Sequence, residues 1–103
     1  MLPIINERLT PNECAKALKA IGDETRIRIL TLLLQGERSV LEIANSLKME
    51  QPHVSHHLAV LRNARLVEDH RIGKRIIYSI HPAVKALKNS GLDLGCCQLE
   101  FRS

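Results

Sequence analysis

Hydrophobic residues in the first third of the chain recur three and four positions apart, as they do along one face of a helix. Thr10 and Pro11 are typical of a helix start, because threonine caps free N–H groups and proline fits the first turn. The first predicted helix buries a stripe formed by Cys14, Leu18 and Ile21. Gly22 ends this helix, and a second one runs from Asp23 to Gly36. Its inward face is formed by Ile27, Leu30 and Leu34.

A capping box begins the next predicted helix, because Ser39 and Glu42 have the spacing in which each side chain accepts the other's backbone N–H. We expect this short helix to turn three side chains inward: Leu41, Ala44 and Leu47. After a turn at residues 48–50, a longer helix is predicted from Gln51 to Ala64. A helix, a tight turn and a second helix form the arrangement that places the second helix in the major groove of DNA.

Two strands are predicted after these helices, at residues 66–70 and 75–80, and the second is rich in β-branched and aromatic residues. Gly73 lies in the tip between them, where a hairpin needs unusual backbone angles. Pro82 is predicted to open a last helix of roughly ten residues. The expected fold is one mainly α-helical domain over residues 1–103, a winged helix–turn–helix with about five helices and a two-stranded β-hairpin wing.

The helix from Gln51 to Ala64 separates two faces at 100° per residue. Four apolar side chains gather on one face and must pack on the core: Val54, Leu58, Leu61 and Ala64. The opposite face places three polar side chains near the end that enters a groove, where they can reach base edges or phosphates: Gln51, Ser55 and His56. Arg62 lies on the same face, towards the other end.

His53 and His57 fall at the border of the two faces and are also candidate DNA contacts. His57 points largely inward, which favours a hydrogen-bonded structural histidine over a DNA contact. A metal site at these histidines is disfavoured, because no glutamate lies between His53 and His57 as in a zinc-protease helix.

The composition is that of a folded domain: 103 residues with 45% hydrophobic and 25% charged residues. No apolar run is long enough to cross a membrane, and the first residues lack a secretion signal, so we expect a cytoplasmic protein. The net charge is +4, and this whole excess lies after residue 50. A one-sided basic excess is typical of a protein that binds a polyanion.

Three cations lie around the hairpin tip, where they would contact backbone phosphates: Arg71, Lys74 and Arg75. The small number of aromatic residues indicates which type of nucleic acid is the expected partner. Single strands are usually bound by stacking on aromatic rings, and this chain has one Tyr, one Phe and no Trp. Double-stranded DNA is therefore the expected partner.

Several segments together resemble the ArsR/SmtB family of repressors: residues 22–30, residues 51–58 with Leu61-Arg62, and Leu66-Val67 with Gly73-Lys74-Arg75 and Tyr78. The resemblance extends over about residues 12–90 and implies a homodimeric winged-helix repressor that binds operator DNA with imperfect two-fold symmetry. It also implies a dimer interface formed by the first and last helices, here 10–21 and 82–97. The interface candidates are Cys14, Leu18, Val84 and Leu87.

Members of the family typically leave DNA when they sense a metal, a metalloid or an oxidant, but three of the family's sensing sites lack their ligands here. Residues 39–44 hold no Cys-x-Cys pair, the last helix holds no Asp-x-His pair, and residues 27–34 contain no cysteine. The resemblance therefore leaves the three cysteines as the candidate inducer site: Cys14, Cys96 and Cys97. As(III) and Sb(III) favour three thiolates, and soft divalent metals also prefer sulfur. The site could form within one chain or across the dimer, and DNA binding itself should need no cofactor.

Other interpretations of the cysteines stay open. An odd number with two adjacent is a poor disulfide framework and suits a reducing compartment. Cys14 can act as a small hydrophobic residue, or the same thiols can form a redox switch. A regulator that senses nothing, or a winged helix used for protein contacts, would need no inducer. We expect no enzyme, because a thiol activated by a histidine such as His81 also needs a pocket and an oriented base.

Overall fold

The computed structural model describes residues 10–87 and 91–101, with Lys85 described by its backbone alone. Over these ranges the chain forms four helices: α1 (Pro11–Ile21), α2 (Glu24–Gln35), α3 (Val40–Leu47) and α4 (Gln51–Asn63). Six short strands complete them: β1 (Arg38–Ser39), β2 (Val67–Ile72), β3 (Arg75–Ile80), β4 (Lys85–Leu87), β5 (Gly91–Asp93) and β6 (Gln98–Glu100). The winged helix–turn–helix class is confirmed, with one helix fewer than expected.

The helix starts follow the predicted caps. Thr10 and Glu13 form a capping box at α1, and Ser39 and Glu42 form another at α3. Asp23 caps α2 by accepting the Arg26 N–H at 3.1 Å. Each cap satisfies backbone donors that no helical carbonyl can reach, so these local signals fix where the helices begin.

The core lies between the four helices and the first sheet, and its largest side chains include Ile29, Leu30 and Leu58, none of which is exposed. Two residues expected inside are instead exposed, Leu18 at 42% and Leu41 at 54%. Ala17 and Ile43, one and two positions away, take the inward positions, because each residue along a helix rotates the side chain by about 100°. On α2 the fully buried face is formed by Ile29, Leu30 and Leu33, while Ile27 and Leu34 are half-buried.

The wing is a three-stranded antiparallel sheet in the order β1-β3-β2. In its hairpin, Ile72 pairs with Arg75 across a two-residue turn, with Gly73 at φ 62°. Gly73 thus takes the positive φ that such tight turns require at their first central residue. The third strand, β1, is only two residues long and pairs Arg38 with Tyr78, a distant contact that no local pattern predicts.

The predicted last helix, roughly ten residues from Pro82, is wrong over its described residues 82–87, which form a turn and β4. His81 opens a turn instead, with its Nδ1 accepting the Ala83 N–H at 2.9 Å. The chain then forms a second antiparallel sheet in the order β4-β5-β6. Leu92 and Leu94 are fully buried, so pairing between neighbouring strands and burial of their side chains prevail over the local helix propensity of this segment.

The dimer-interface candidates also change. Val84 is only 4% exposed and Cys14 only 3% exposed in the single chain, so both belong to its own core. Leu18 on α1 is exposed and remains available to a partner. Residues 1–9, 88–90 and 102–103 of the predicted 1–103 domain lie outside the described residues. Within those described, no helix has the length and apolar character needed to cross a membrane.

Candidate nucleic-acid interface and thiol cluster

The two faces of α4 separate as predicted. Val54, Leu58 and Leu61 are fully buried, and Ala64 is buried beside them. Four of the predicted contact residues are exposed on the other side: Gln51, His53, Ser55 and His56. The turn before α4 depends on Lys48, which takes a left-handed φ of 56° and ends α3. This arrangement presents the N-terminal half of α4 outward.

A groove of about 470 Å³ lies between α3, the start of α4 and the wing. Gln51 and Ser55 line it from α4, and Lys74 and Arg75 line it from the wing. The fold therefore brings two residues of α4 and two residues of the wing, which are at least 19 positions apart in sequence, onto one continuous surface. Arg71 is also exposed, on β2 next to the hairpin tip.

Two predicted DNA-contacting cations already have partners within the protein. Arg75 lies 3.3 Å from the carboxylate of Glu42, and Arg62 lies 3.4 Å from that of Asp69. Arg62 also donates to the Tyr78 hydroxyl at 3.3 Å. Burial raises the pKa of this hydroxyl above its usual value, so it stays protonated. These contacts connect α4 and α3 to the wing and hold the groove's walls in place.

His57 belongs to α4, and its side chain, 19% exposed, faces the start of α2. The Arg26 guanidinium lies 3.2 Å from Nδ1 and can donate to it when this nitrogen carries no proton, and the Asp23 carboxylate lies 3.8 Å away. Burial lowers the pKa of His57, which favours the neutral ring that accepts this bond. The contacts suit the structural role, although His57 remains among the predicted DNA contacts.

The three cysteines meet within one chain. Their sulfur atoms all lie within 4.8 Å of one another, with Cys14 buried, Cys97 half-buried and Cys96 exposed. A disulfide joins Cys14 to Cys96, with 6.6 Å between their Cα atoms, and Cys97 is free. The sequence interpretation did not predict this pairing, because an odd number of cysteines with two adjacent is a poor disulfide framework. Counting cysteines along the sequence could not show that the fold brings residues 82 positions apart together.

A tight turn between β5 and β6 places the tail cysteines. The Leu94 N–H donates to the Cys97 carbonyl at 2.9 Å, and the Gly95 N–H donates to the Asp93 carboxylate at 2.8 Å. Gly95 has φ 91°, a conformation that other residues rarely adopt. The turn thus holds Cys96 and Cys97 beside the first turns of α1.

One ion pair between distant elements was missed by the sequence interpretation. Arg65 donates to the Glu13 carboxylate at 2.8 Å and joins the end of α4 to the start of α1. Glu13 lies in the first turn of α1, and no sequence pattern pairs residues 52 positions apart. Arg65 itself was an indication in the sequence, because it stands at the position after a helix end, where glycine is common and arginine is unusual.

Comparison with known proteins identifies the DNA-binding half. Residues 23–69 match the family model "Bacterial regulatory protein, arsR family". The transcriptional repressor SdpR of Bacillus subtilis is 42% identical over 66 residues, which are 64% of this chain and 73% of that protein. The chain belongs to the ArsR family. It is thus a winged-helix, DNA-binding transcriptional regulator, as the resemblance predicted.

Two further relatives show how far the similarity reaches. The arsenic resistance transcriptional regulator ArsR1 of Pseudomonas putida is 38% identical over 81 residues, 78% of this chain and 61% of that protein. A homodimeric winged helix–turn–helix DNA-binding domain from Mycobacterium bovis has a TM-score of 0.65 and 39% identity, covering 67% of this chain and 64% of that one. The family match ends at residue 69, so it includes neither β3 nor the tail cysteines.

Proposed function

We propose that this ArsR-family regulator is a homodimeric repressor that binds operator DNA and is released by a thiol-reactive inducer. The groove between α3, α4 and the wing carries the DNA-binding part of this proposal, since polar side chains of α4 and cations of the wing line it together. Duplex DNA offers both a major groove for the start of α4 and phosphates for the wing.

The exposed residues of α4 and the wing take different roles in this complex. Gln51, Ser55 and His56 read base edges, with His53 beside them. Arg71, Lys74 and Arg75 bind phosphates and supply affinity with little sequence information. Arg62 and His57 chiefly hold α4 in position through their partners on β2 and α2. To bind a phosphate, Arg75 must break its contact with the Glu42 carboxylate. The dense negative charge of the DNA favours the new contact.

The thiol cluster is the proposed inducer site. In the reduced protein the three sulfurs form the donor set that As(III) and Sb(III) prefer, and soft divalent metals are also suited to it. The three thiols release their protons when they bind the metalloid. The disulfide between Cys14 and Cys96 must be reduced first, because sulfur atoms in a disulfide are not thiolate ligands. The arsenic resistance regulator of Pseudomonas putida is one relative consistent with this inducer class.

Oxidation of the same thiols is the second candidate signal, favoured by the disulfide itself. Cys14 and Cys96 lose two protons and two electrons to a peroxide, which becomes water, and a sulfur–sulfur bond forms. Either signal would act by favouring a dimer geometry that no longer fits operator half-sites one helical turn apart.

The dimer and the cellular location are also proposals. We infer that 10–21 and 82–97 contribute to the dimer interface, with the exposed Leu18 on α1 as the clearest apolar contact and the half-buried Leu87 on β4 as a second one. The homodimeric Mycobacterium bovis domain supports two-fold assembly. A cytoplasmic location fits a regulator whose thiols must be reduced to bind metal, and a regulatory rather than enzymatic role fits the known relatives.

A DNA-release titration tests this function. A duplex selected by the reduced protein from a random pool is titrated with arsenite, antimonite, cadmium, zinc and peroxide in separate gel-shift series. Release by arsenite or antimonite supports the metalloid inducer, and release by peroxide alone supports the redox signal. A protein that stays on its duplex under all five treatments contradicts an inducible repressor, and failure to select any duplex contradicts DNA binding.

A further inference from the structure

The ion pair between Glu13 and Arg65 joins the thiol cluster to the DNA-binding helix. Glu13 is the neighbour of Cys14 in the first turn of α1, and Arg65 follows directly after α4 and its cap residue Ala64. Arg65 Nη1 lies 2.8 Å from Glu13 Oε2. The two halves of the molecule thus share a direct polar contact at the end of α4.

Arg65 occupies a backbone position that favours glycine. The Leu66 N–H donates to the Leu61 carbonyl at 3.0 Å and the Arg65 N–H to the Arg62 carbonyl at 2.9 Å, which is the Schellman pattern at a helix end. Arg65 has the left-handed φ of 62° that this pattern requires. A residue with a Cβ is disfavoured there, so the side chain's contact with Glu13 offers a reason for arginine at this position.

Glu13 is held on its other side by α1 itself. Its Oε1 accepts the Thr10 N–H at 2.9 Å, and the Thr10 hydroxyl accepts the Glu13 N–H at 3.2 Å. The hydrogen bond from the Thr10 backbone is the main cause that lowers the pKa of Glu13, so this carboxylate is charged at neutral pH. One carboxylate oxygen of Glu13 therefore accepts the capping hydrogen bond, and the other contacts Arg65. A movement of the first turn of α1 therefore moves both contacts.

We propose that Glu13 and Arg65 are positioning residues that transmit the state of the thiol cluster to α4. A ligand on Cys14 draws the first turn of α1 toward or away from the tail turn at 94–97. The capping box makes this turn one unit, so the Glu13 carboxylate shifts with Cys14, and Arg65 passes the shift to the end of α4. This inference rests on the proposed inducible repressor and specifies its regulation.

The test uses two variants that preserve local structure. Glu13→Gln removes the charge while keeping a residue that completes capping boxes. Arg65→Gly removes the side chain where glycine is the preferred residue. Glu24→Gln is the matched control, because Glu24 forms an ion pair with Arg28 at 2.7 Å within α2 alone. Thermal unfolding of each full-length variant verifies that it folds.

The measured quantity is the ratio of duplex Kd values with and without arsenite, using reduced protein and the selected duplex. We expect the wild-type ratio to fall within about 5- to 150-fold, and Glu13→Gln and Arg65→Gly to reduce it by at least about fivefold. Their duplex Kd without arsenite should stay within about threefold of wild type, since neither residue lies in the groove. Glu24→Gln should keep the wild-type ratio.

The outcomes separate this inference from the function on which it rests. A wild-type ratio of one overturns the arsenite-responsive repressor and this coupling together. A normal wild-type ratio that both variants retain overturns the coupling alone. Loss of arsenite binding by the free variants, measured by their arsenic–sulfur ultraviolet absorbance, also overturns it, because the ion pair would then build the site instead of transmitting its state.

Discussion

The segment from Asp23 to Ile80 and the segment from His81 to Phe101 differ in how their structures are specified. In the first, caps, helix faces and the hairpin turn agree with the fold, and most of it lies within the family match. In the second, the predicted helix is replaced by a sheet that holds two cysteines against α1. The DNA-binding part therefore follows the family model, whereas the proposed inducer site depends on residues outside the range that this model matches.

The largest effect is expected on the free energy of unfolding, when a core side chain of the DNA-binding segment is truncated. Leu58→Ala removes a fully buried side chain of α4 and should lower the free energy of unfolding by about 2–5 kcal/mol. Urea unfolding followed by circular dichroism measures it. Leu41→Ala is the control, because Leu41 is 54% exposed and its loss should change stability by no more than about 0.5 kcal/mol. Equal losses would contradict the assignment of the α3 and α4 faces.

Sequence discrimination should depend on the outward face of α4. His56→Ala should reduce the preference for the selected duplex over random DNA by about 1–3 kcal/mol, because a base-edge contact is lost. Competition binding at one fixed salt concentration gives this difference. If the affinity for both duplexes falls equally, His56 is not a base-reading residue.

The wing should contribute affinity without discrimination. Arg75→Ala should weaken binding to every duplex and reduce the slope of log K against log salt by about 1, because one phosphate contact disappears. Fluorescence anisotropy at salt concentrations between about 50 and 200 mM measures this slope, because DNA affinity falls strongly over that range. Lys16→Ala, on the exposed side of α1, removes a charge outside the groove and should leave the slope nearer wild type. Unchanged low-salt affinity in Arg75→Ala would remove this residue from the interface.

The smallest expected effect concerns the link between α2 and α4. Burial lowers the pKa of His57 below its ordinary value of 6.5. The unfolded chain therefore takes up the proton more readily than the folded one. The stability that comes from holding His57 neutral is fully present above the pKa of His57 in the unfolded chain. It is lost as the pH falls through the pKa of His57 in the folded protein. Between pH 7.5 and 5.5, about the range where histidine titrates, the unfolding free energy of wild type should fall more steeply than that of His57→Gln. Parallel curves would show that His57 is not held neutral by the fold.

The sequence predicted the elements whose signals are local. Thr10, Asp23 and Ser39 each cap a helix as expected, and Gly73 makes the wing turn. The errors arose where contacts between separate elements decide the structure. β1 is two residues long and depends on the distant β3, and the pairing of the neighbouring strands β4 and β5 replaces a predicted helix.

The candidate sites show the same division. The outward residues of α4 follow from helical periodicity, but their alignment with Lys74 and Arg75 depends on how the wing packs. The resemblance singled out the three cysteines by elimination, yet only the fold shows that one chain brings them together. The ion pair between Glu13 and Arg65 joins residues whose proximity results from the packing of α1 against α4.

In the proposed mechanism, the thiol cluster controls binding of the α4 and wing surface to DNA. The most direct test measures duplex binding by reduced wild type and by Cys96→Ser/Cys97→Ser during an arsenite titration. We expect both proteins to bind the duplex alike without arsenite, and arsenite to release the wild type but not the double variant. Equal release of both proteins by arsenite would contradict the assignment of the inducer site to this cluster.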